Sequence, residues 1–225
     1  MASNAYLKRH GFTLAEVLIT LGIIGIVAAL TLPLLDKQTQ GKELKAGLNR
    51  AYSVIQTALD KMNYDEGQTV NGTNYPSRTF MPKFKKYFKL YKDCNANSCE
   101  KGTNDENGRP RSSRYKTYNN NPLNPSMFDD GQSISSDGLL ILIENSGTSL
   151  YISVDINGPN KKPNRWGHDL FTFQVMNDGK LLPMGAKGTH YGESRCSVTS
   201  TDVYNGMGCT YKALTEKDYF KNLPK

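Results

Sequence analysis

No second apolar run in this 225-residue chain approaches the length needed to cross a bilayer, which excludes a multi-span membrane protein. Outside the one long apolar stretch the chain is about one-third apolar, so a modest core in need of covalent help is expected. Catalytic signatures are missing as well. There is no Gly-x-Ser-x-Gly elbow, no Walker phosphate loop and no His-Glu-x-x-His pair. Of three histidines, His10 precedes the apolar run, leaving His168 and His190. His168, in a turn with Trp166 and Asp169, reads as a surface or packing residue, and no enzyme activity is expected. Cysteine is scarce but even in number. Four Cys, none at the Cys-x-x-Cys spacing of a zinc knuckle and none in the apolar stretch, fit disulfides and an oxidising compartment beyond the cytoplasmic membrane. Cys94 and Cys99 bracket four residues and Cys196 and Cys209 bracket twelve, so local pairing of each is the expected one of three connectivities.

The amino terminus also lacks acids. Residues 1–11 carry Lys8 and Arg9 and no Asp or Glu, and the chain then turns apolar at Phe12. Residues 12–35 would span about 36 Å as a helix, against a hydrocarbon core of about 30 Å. The flanking cations keep the amino end cytoplasmic and put the rest of the chain outside. A cleaved secretory signal would share the basic start. The longer apolar run, its continuation into an amphipathic helix and the missing small-x-small exit argue against it. Glu16 is the informative exception, because an unpaired acid within such a run costs about 3 kcal/mol or more. Cleavage after Gly11 would expose an α-amine on Phe12 that could pair with Glu16 of a neighbouring copy.

The stretch Gly11-Phe12-Thr13-Leu14-Ala15-Glu16-Val17-Leu18-Ile19, preceded by Lys8 and Arg9 and followed by an aliphatic run ending near Pro33, resembles the class III leader and first helix of type IV pilins and type II secretion pseudopilins. The resemblance implies a cut at Gly11/Phe12 by a membrane prepilin peptidase and N-methylation of Phe12. It implies pairing of Glu16 with the methylated amine of an adjacent subunit, which sets axial register. The implied partners are other pilin or pseudopilin copies, the peptidase and an assembly platform in the inner membrane. The implied locations are the cytoplasmic membrane, as a single-pass protein, and then a periplasmic pseudopilus or an extracellular pilus. In that family the carboxy-terminal region is often disulfide-bounded, and Cys196 with Cys209 resembles that arrangement.

Beyond the apolar run, Leu44, Leu48, Ala51, Ile55, Ala58, Leu59 and Met62 recur at three- and four-residue steps, which predicts one helix over 12–62. Pro33 should kink or locally melt it, and Gly22, Gly25 and Ala29 offer small surfaces for helix contacts in lipid. Residues 63–137 read as a loop region holding a short amphipathic helix over 80–91, with Phe80, Phe84, Tyr87, Phe88 and Tyr91 near one face. Residues 138–144, 149–156 and 170–176, with a hairpin leading into 180–182, read as an antiparallel sheet of about four strands within 138–184. A carboxy-terminal region, 185–225, follows. The fold expected is α+β, a long helix lying on that sheet. The segment from Val154-Asp155-Ile156-Asn157-Gly158 to Asp178-Gly179-Lys180 resembles the sheet region of pilin-like proteins.

Two further features raise binding readings. Asp155, Asn157, Asn164 and Asp169 lie in one connection between strands and could hold Ca²⁺, although the bidentate Glu of an EF-hand is missing; a self-satisfying Asx-turn loop is the plainer reading. Basic charge is concentrated at 83–92 (+5), 109–116 (+4) and 161–165 (+3) in a chain of net +7. Lys83, Lys85, Lys86, Lys89, Arg109, Arg111 and Arg114 could contact nucleic acid, as in a minor pilin for DNA uptake, against solvated lysine faces as the plainer reading. A secreted enzyme held by an uncleaved anchor is the remaining alternative.

Overall fold

The computed structural model describes residues 11–94, 99 and 114–224, with backbone alone at 32–38 and 125. Lys8, Arg9, His10, Arg109 and Arg111 lie outside the described residues. Two units are present, Met1–Gln40 and Gly41–Lys225. Helix α1 (Leu14–Glu66) contributes to both. It is helical through Pro33, so the backbone there does not melt. It ends four residues beyond the expected Met62, because the chain stays helical until Gly67 takes a left-handed conformation (φ 62°). The Asn63 side chain then accepts from the Val70 amide at 2.7 Å and turns the chain back.

In the second unit the three- and four-residue period of α1 is its buried face. Leu48, Ala51, Ile55, Ala58, Leu59 and Met62 are all buried, with Leu44 at the margin. Lys45 is tied to a second element. Its Nζ donates to the Ala213 and Leu214 carbonyls at 2.5 and 2.7 Å, in the last turn of α3 (Cys209–Thr215), where carbonyls have no helical donor of their own.

The sheet has six strands where about four were expected. It is an antiparallel meander in chain order, β1 (Leu90–Asp93), β2 (Gly131–Ser135), β3 (Leu140–Asn145), β4 (Leu150–Asp155), β5 (Leu170–Val175) and β6 (Leu181–Pro183). The α+β class stands. The amphipathic helix over 80–91 does not form as one element: α2 (Phe80–Phe84) passes through a 3-10 turn, Lys85–Tyr87, and the chain extends at Phe88 into β1. Phe80, Phe84 and Phe88 contact one another in series at 4.6 and 4.7 Å between ring centroids. Tyr91 instead sits on an edge strand and is 80% exposed.

Both faces of the sheet are covered. Ile141, Ile143, Ile152, Val154, Phe171 and Phe173 share one core with α1 and α2. Leu140, Leu142, Tyr151 and Leu170 face a second core built on Phe128, Trp166, Met184 and Met207. This explains why β4 and β5 are buried at every position. The second layer comes from irregular segments and holds the disulfide Cys94–Cys99, while both cysteines of Cys196–Cys209 pack with the helix-side core. Gly206 (φ 109°) lets the carboxy-terminal segment close on the β4–β5 connection, since a Cβ there would lie 2.5 Å from Cβ of Trp166.

Candidate functional site

Gly11, Phe12 and Thr13 precede α1 without regular structure, so the Gly11/Phe12 bond lies ahead of the first helical turn. Thr13 caps that turn. Its Oγ1 accepts from the Glu16 amide at 3.2 Å, while Oε2 of Glu16 accepts from the Thr13 amide and hydroxyl at 2.8 Å each. This is a reciprocal capping box, which satisfies amides that a helix start leaves without partners. Its Thr-x-x-Glu signature was legible in the sequence, where Glu16 alone was singled out. The window Leu14–Thr31 has a mean hydropathy of 2.3 and is apolar enough to cross a membrane. Phe12 is 89% exposed and Leu30 68%. The hydroxyls of Thr20 and Thr31 donate back to the Val17 and Val27 carbonyls, which removes their need for water. Among the described residues, a Cβ built at Gly22 or Gly25 would meet nothing within 4 Å.

The β4–β5 connection brings its four oxygen-bearing residues together. Asp155 and Asp169 are fully buried. Asp155 Oδ1 accepts from the Asn157 and Gly158 amides at 3.2 and 2.9 Å, and its Oδ2 accepts from the Tyr115 phenol at 2.6 Å. Asp169 accepts from the Asn164 and Arg165 amides at 2.8 and 2.7 Å and from the Asn157 side chain. The loop thus contains the self-satisfying Asx geometry. It also contains two buried oxygens with no hydrogen-bond partner, Oδ1 of Asn157 and Oδ1 of Asn164. Burial, and then the charge of Asp169, pushes the Asp155 carboxyl up to about 7; burial pushes Asp169 up to about 6. Arg165 is the nearby cation, but its guanidinium is buried and donates to the Tyr118 carbonyl. His168, driven down to about 4 by burial and by Arg165, is neutral and contacts the same carbonyl. Carboxylate and amide oxygens are the ligand types that a hard divalent cation takes. Tyr115 belongs to the arrangement and was not singled out in the sequence, lying 40 residues from Asp155 with no local signal.

A second acidic group was also unforeseen. Asp129, Asp130 and Glu144 each bring a carboxylate oxygen within 4.8 Å of the others. Burial first, then a hydrogen bond with Asp129 and the charges of Asp130 and Asp129, push Glu144 up to about 9. Its folded pKa is thus above the unfolded value of about 4.3, so its contribution to stability is full below pH 4 and lost as pH rises toward 9. Glu144→Gln is therefore expected to leave stability near pH 5 almost unchanged. At pH 8 it should add about 1 kcal/mol after discounting for solvent screening. Thermal denaturation of both proteins across that range tests this, and parallel pH profiles would contradict it.

The basic runs do not present free cations throughout. Lys83 is paired with Glu66, Lys85 with Asp93 at 2.6 Å, and Lys92 Nζ donates to the Cys99 carbonyl at 2.5 Å. Lys86, Lys89 and Arg114 are exposed. Arg165 is buried and committed to Tyr118.

No curated protein and no solved structure matches the chain. Residues 6–32 match the family model of the prokaryotic N-terminal methylation motif. With its apolar helix, Glu16 and the Gly11/Phe12 junction inside that match, the chain carries the prepilin-type cleavage and methylation signature of type IV pilins and pseudopilins.

Proposed function

We propose that this protein is a structural subunit of a type IV pilus or of a type II secretion pseudopilus-like filament. In this proposal the first helix holds it in the cytoplasmic membrane with the sheet domain outside. Prepilin peptidase cuts between Gly11 and Phe12, Phe12 is methylated, and an assembly platform extracts subunits into a polymer with the helices bundled inside. The observation that carries the proposal is the methylation motif on an exposed apolar helix that holds one acid, Glu16, near its start. The irregular backbone at the Gly11/Phe12 junction suits a peptidase, which needs an extended substrate, and the unfilled glycine positions suit helix contacts with other copies. Producing the chain in cells with a prepilin peptidase and an assembly platform should give sedimentable fibres containing it. If the processed chain stays wholly membrane-bound under those conditions, the filament role is wrong.

Calcium at the β4–β5 loop is a second proposal, favoured by the two unpartnered amide oxygens beside two buried acids. Titration calorimetry of the detergent-solubilised chain should register Ca²⁺ binding at or below the millimolar range. An absence of heat at millimolar Ca²⁺ would remove it. DNA binding is disfavoured by the ion pairs that occupy Lys83 and Lys85.

A further inference from the structure

Residues 114–122 form a strap that folds back on itself, the Thr117 amide donating to the Asn121 carbonyl at 2.9 Å, and the strap is fastened to the end of β4 and to the β4–β5 loop at Tyr115, Lys116 and Tyr118. The Tyr115 phenol donates to Asp155 Oδ2 at 2.6 Å. The Lys116 amide donates to the Asn164 carbonyl at 2.9 Å, and the Trp166 amide donates to the Lys116 carbonyl at 3.0 Å. The Tyr118 carbonyl takes the Arg165 guanidinium and contacts the His168 ring. These strap partners thus either belong to the candidate oxygen set or adjoin it. Tyr115 is 4% exposed and packs against Phe128 at 5.9 Å between rings, so its phenol enters from a fixed direction. With Oδ1 holding two backbone amides and Oδ2 the phenol, the Asp155 carboxylate cannot rotate. A carboxylate oriented in this way is what a cation site needs from the layer of residues behind its ligands.

We infer that the strap and the cation loop are one coupled unit in which Tyr115 is the positioning residue: its hydroxyl orients Asp155 toward Ca²⁺, and Ca²⁺ in return fastens the strap. This rests on the calcium proposal above. Coupling of this kind is reciprocal, so whatever strengthens one side must strengthen the other by the same factor.

The experiment uses the full-length chain in detergent with CaCl₂ as the probe. Calorimetry compares wild type with Tyr115→Phe, which keeps the ring against Phe128 and removes only the hydroxyl. Hydrogen exchange then follows residues 114–122 with Ca²⁺ and with EGTA. Loss of the hydroxyl should weaken Ca²⁺ binding about tenfold. In wild type, Ca²⁺ should slow exchange in 114–122, and the slowing should shrink in the variant. A purely packing role would lower melting temperature equally with and without Ca²⁺ and leave the affinity unchanged. If wild type binds no Ca²⁺, the calcium proposal fails and takes the coupling with it. If wild type binds but the variant binds equally tightly, the coupling is wrong and the calcium site stands. Should the variant not fold, wild-type exchange decides alone: Ca²⁺ protection confined to the β4–β5 loop, with none in 114–122, overturns the coupling.

Discussion

Glu16→Ala is expected to insert into the membrane at least as well as wild type while yielding fibres reduced by tenfold or more. Removing a carboxylate from an apolar helix lowers the cost of membrane residence by about 3 kcal/mol on insertion scales. In the isolated chain Glu16 is engaged by Thr13 of its own first turn. In the proposed filament it would instead meet the α-amine of Phe12 on a neighbour, a buried ion pair whose one-sided loss costs about 3–5 kcal/mol. Both changes favour the membrane over the polymer. The measurement is the ratio of sheared-fibre to membrane-bound subunit by quantitative immunoblot. Wild-type fibre yield from Glu16→Ala would sink the register role of this residue.

Loss of the Cys196–Cys209 disulfide should have the second large effect, this time on the folded domain. The bridge closes a loop of thirteen residues in sequence separation, for about 3 kcal/mol in the loop-entropy treatment, against about 2 kcal/mol for the shorter Cys94–Cys99 loop. Position adds to the difference. Cys209 is fully buried at the start of α3, the helix whose last carbonyls take Lys45 of α1. The bridge thereby joins the irregular segment that carries Cys196 to an element docked on the long helix. In the double Cys→Ser variant the melting temperature should fall by roughly 6–12 °C. Calorimetry under non-reducing conditions checks this. A shift no larger than that of the Cys94/Cys99 variant would contradict the ranking.

The second half of α1 was legible because apolar residues recur at helical spacing while Lys, Arg and Asn fill the remainder. Strands β3 to β5 were legible as runs of β-branched and aromatic residues. By contrast, β2 (Gly-Gln-Ser-Ile-Ser) has no apolar alternation, yet Gln132 and Ser133 are buried. The layer over Gln132 is built from segments without period, where its side chain accepts from the Cys99 amide and donates to the Phe128 carbonyl. Strand β1 was masked by the four-residue spacing of Phe80, Phe84 and Phe88, which extends a helical pattern past the point where the backbone turns to the sheet. At the amino terminus the opposite holds. Everything the leader motif needs is contiguous, so Gly11, Phe12 and Glu16 stood out without any knowledge of the fold. The β4–β5 acids were visible as a group in one connection. Their burial and the phenol above them depend on long-range packing, to which composition is blind.

The most direct test of the filament assignment is mass spectrometry of the mature amino terminus in sheared surface fibres and in the cell envelope. A peptide beginning at N-methylated Phe12, abundant in the fibres or confined to the envelope, would establish a processed subunit of a pilus or of a secretion pseudopilus respectively. A mature chain that begins anywhere other than Phe12 would contradict it.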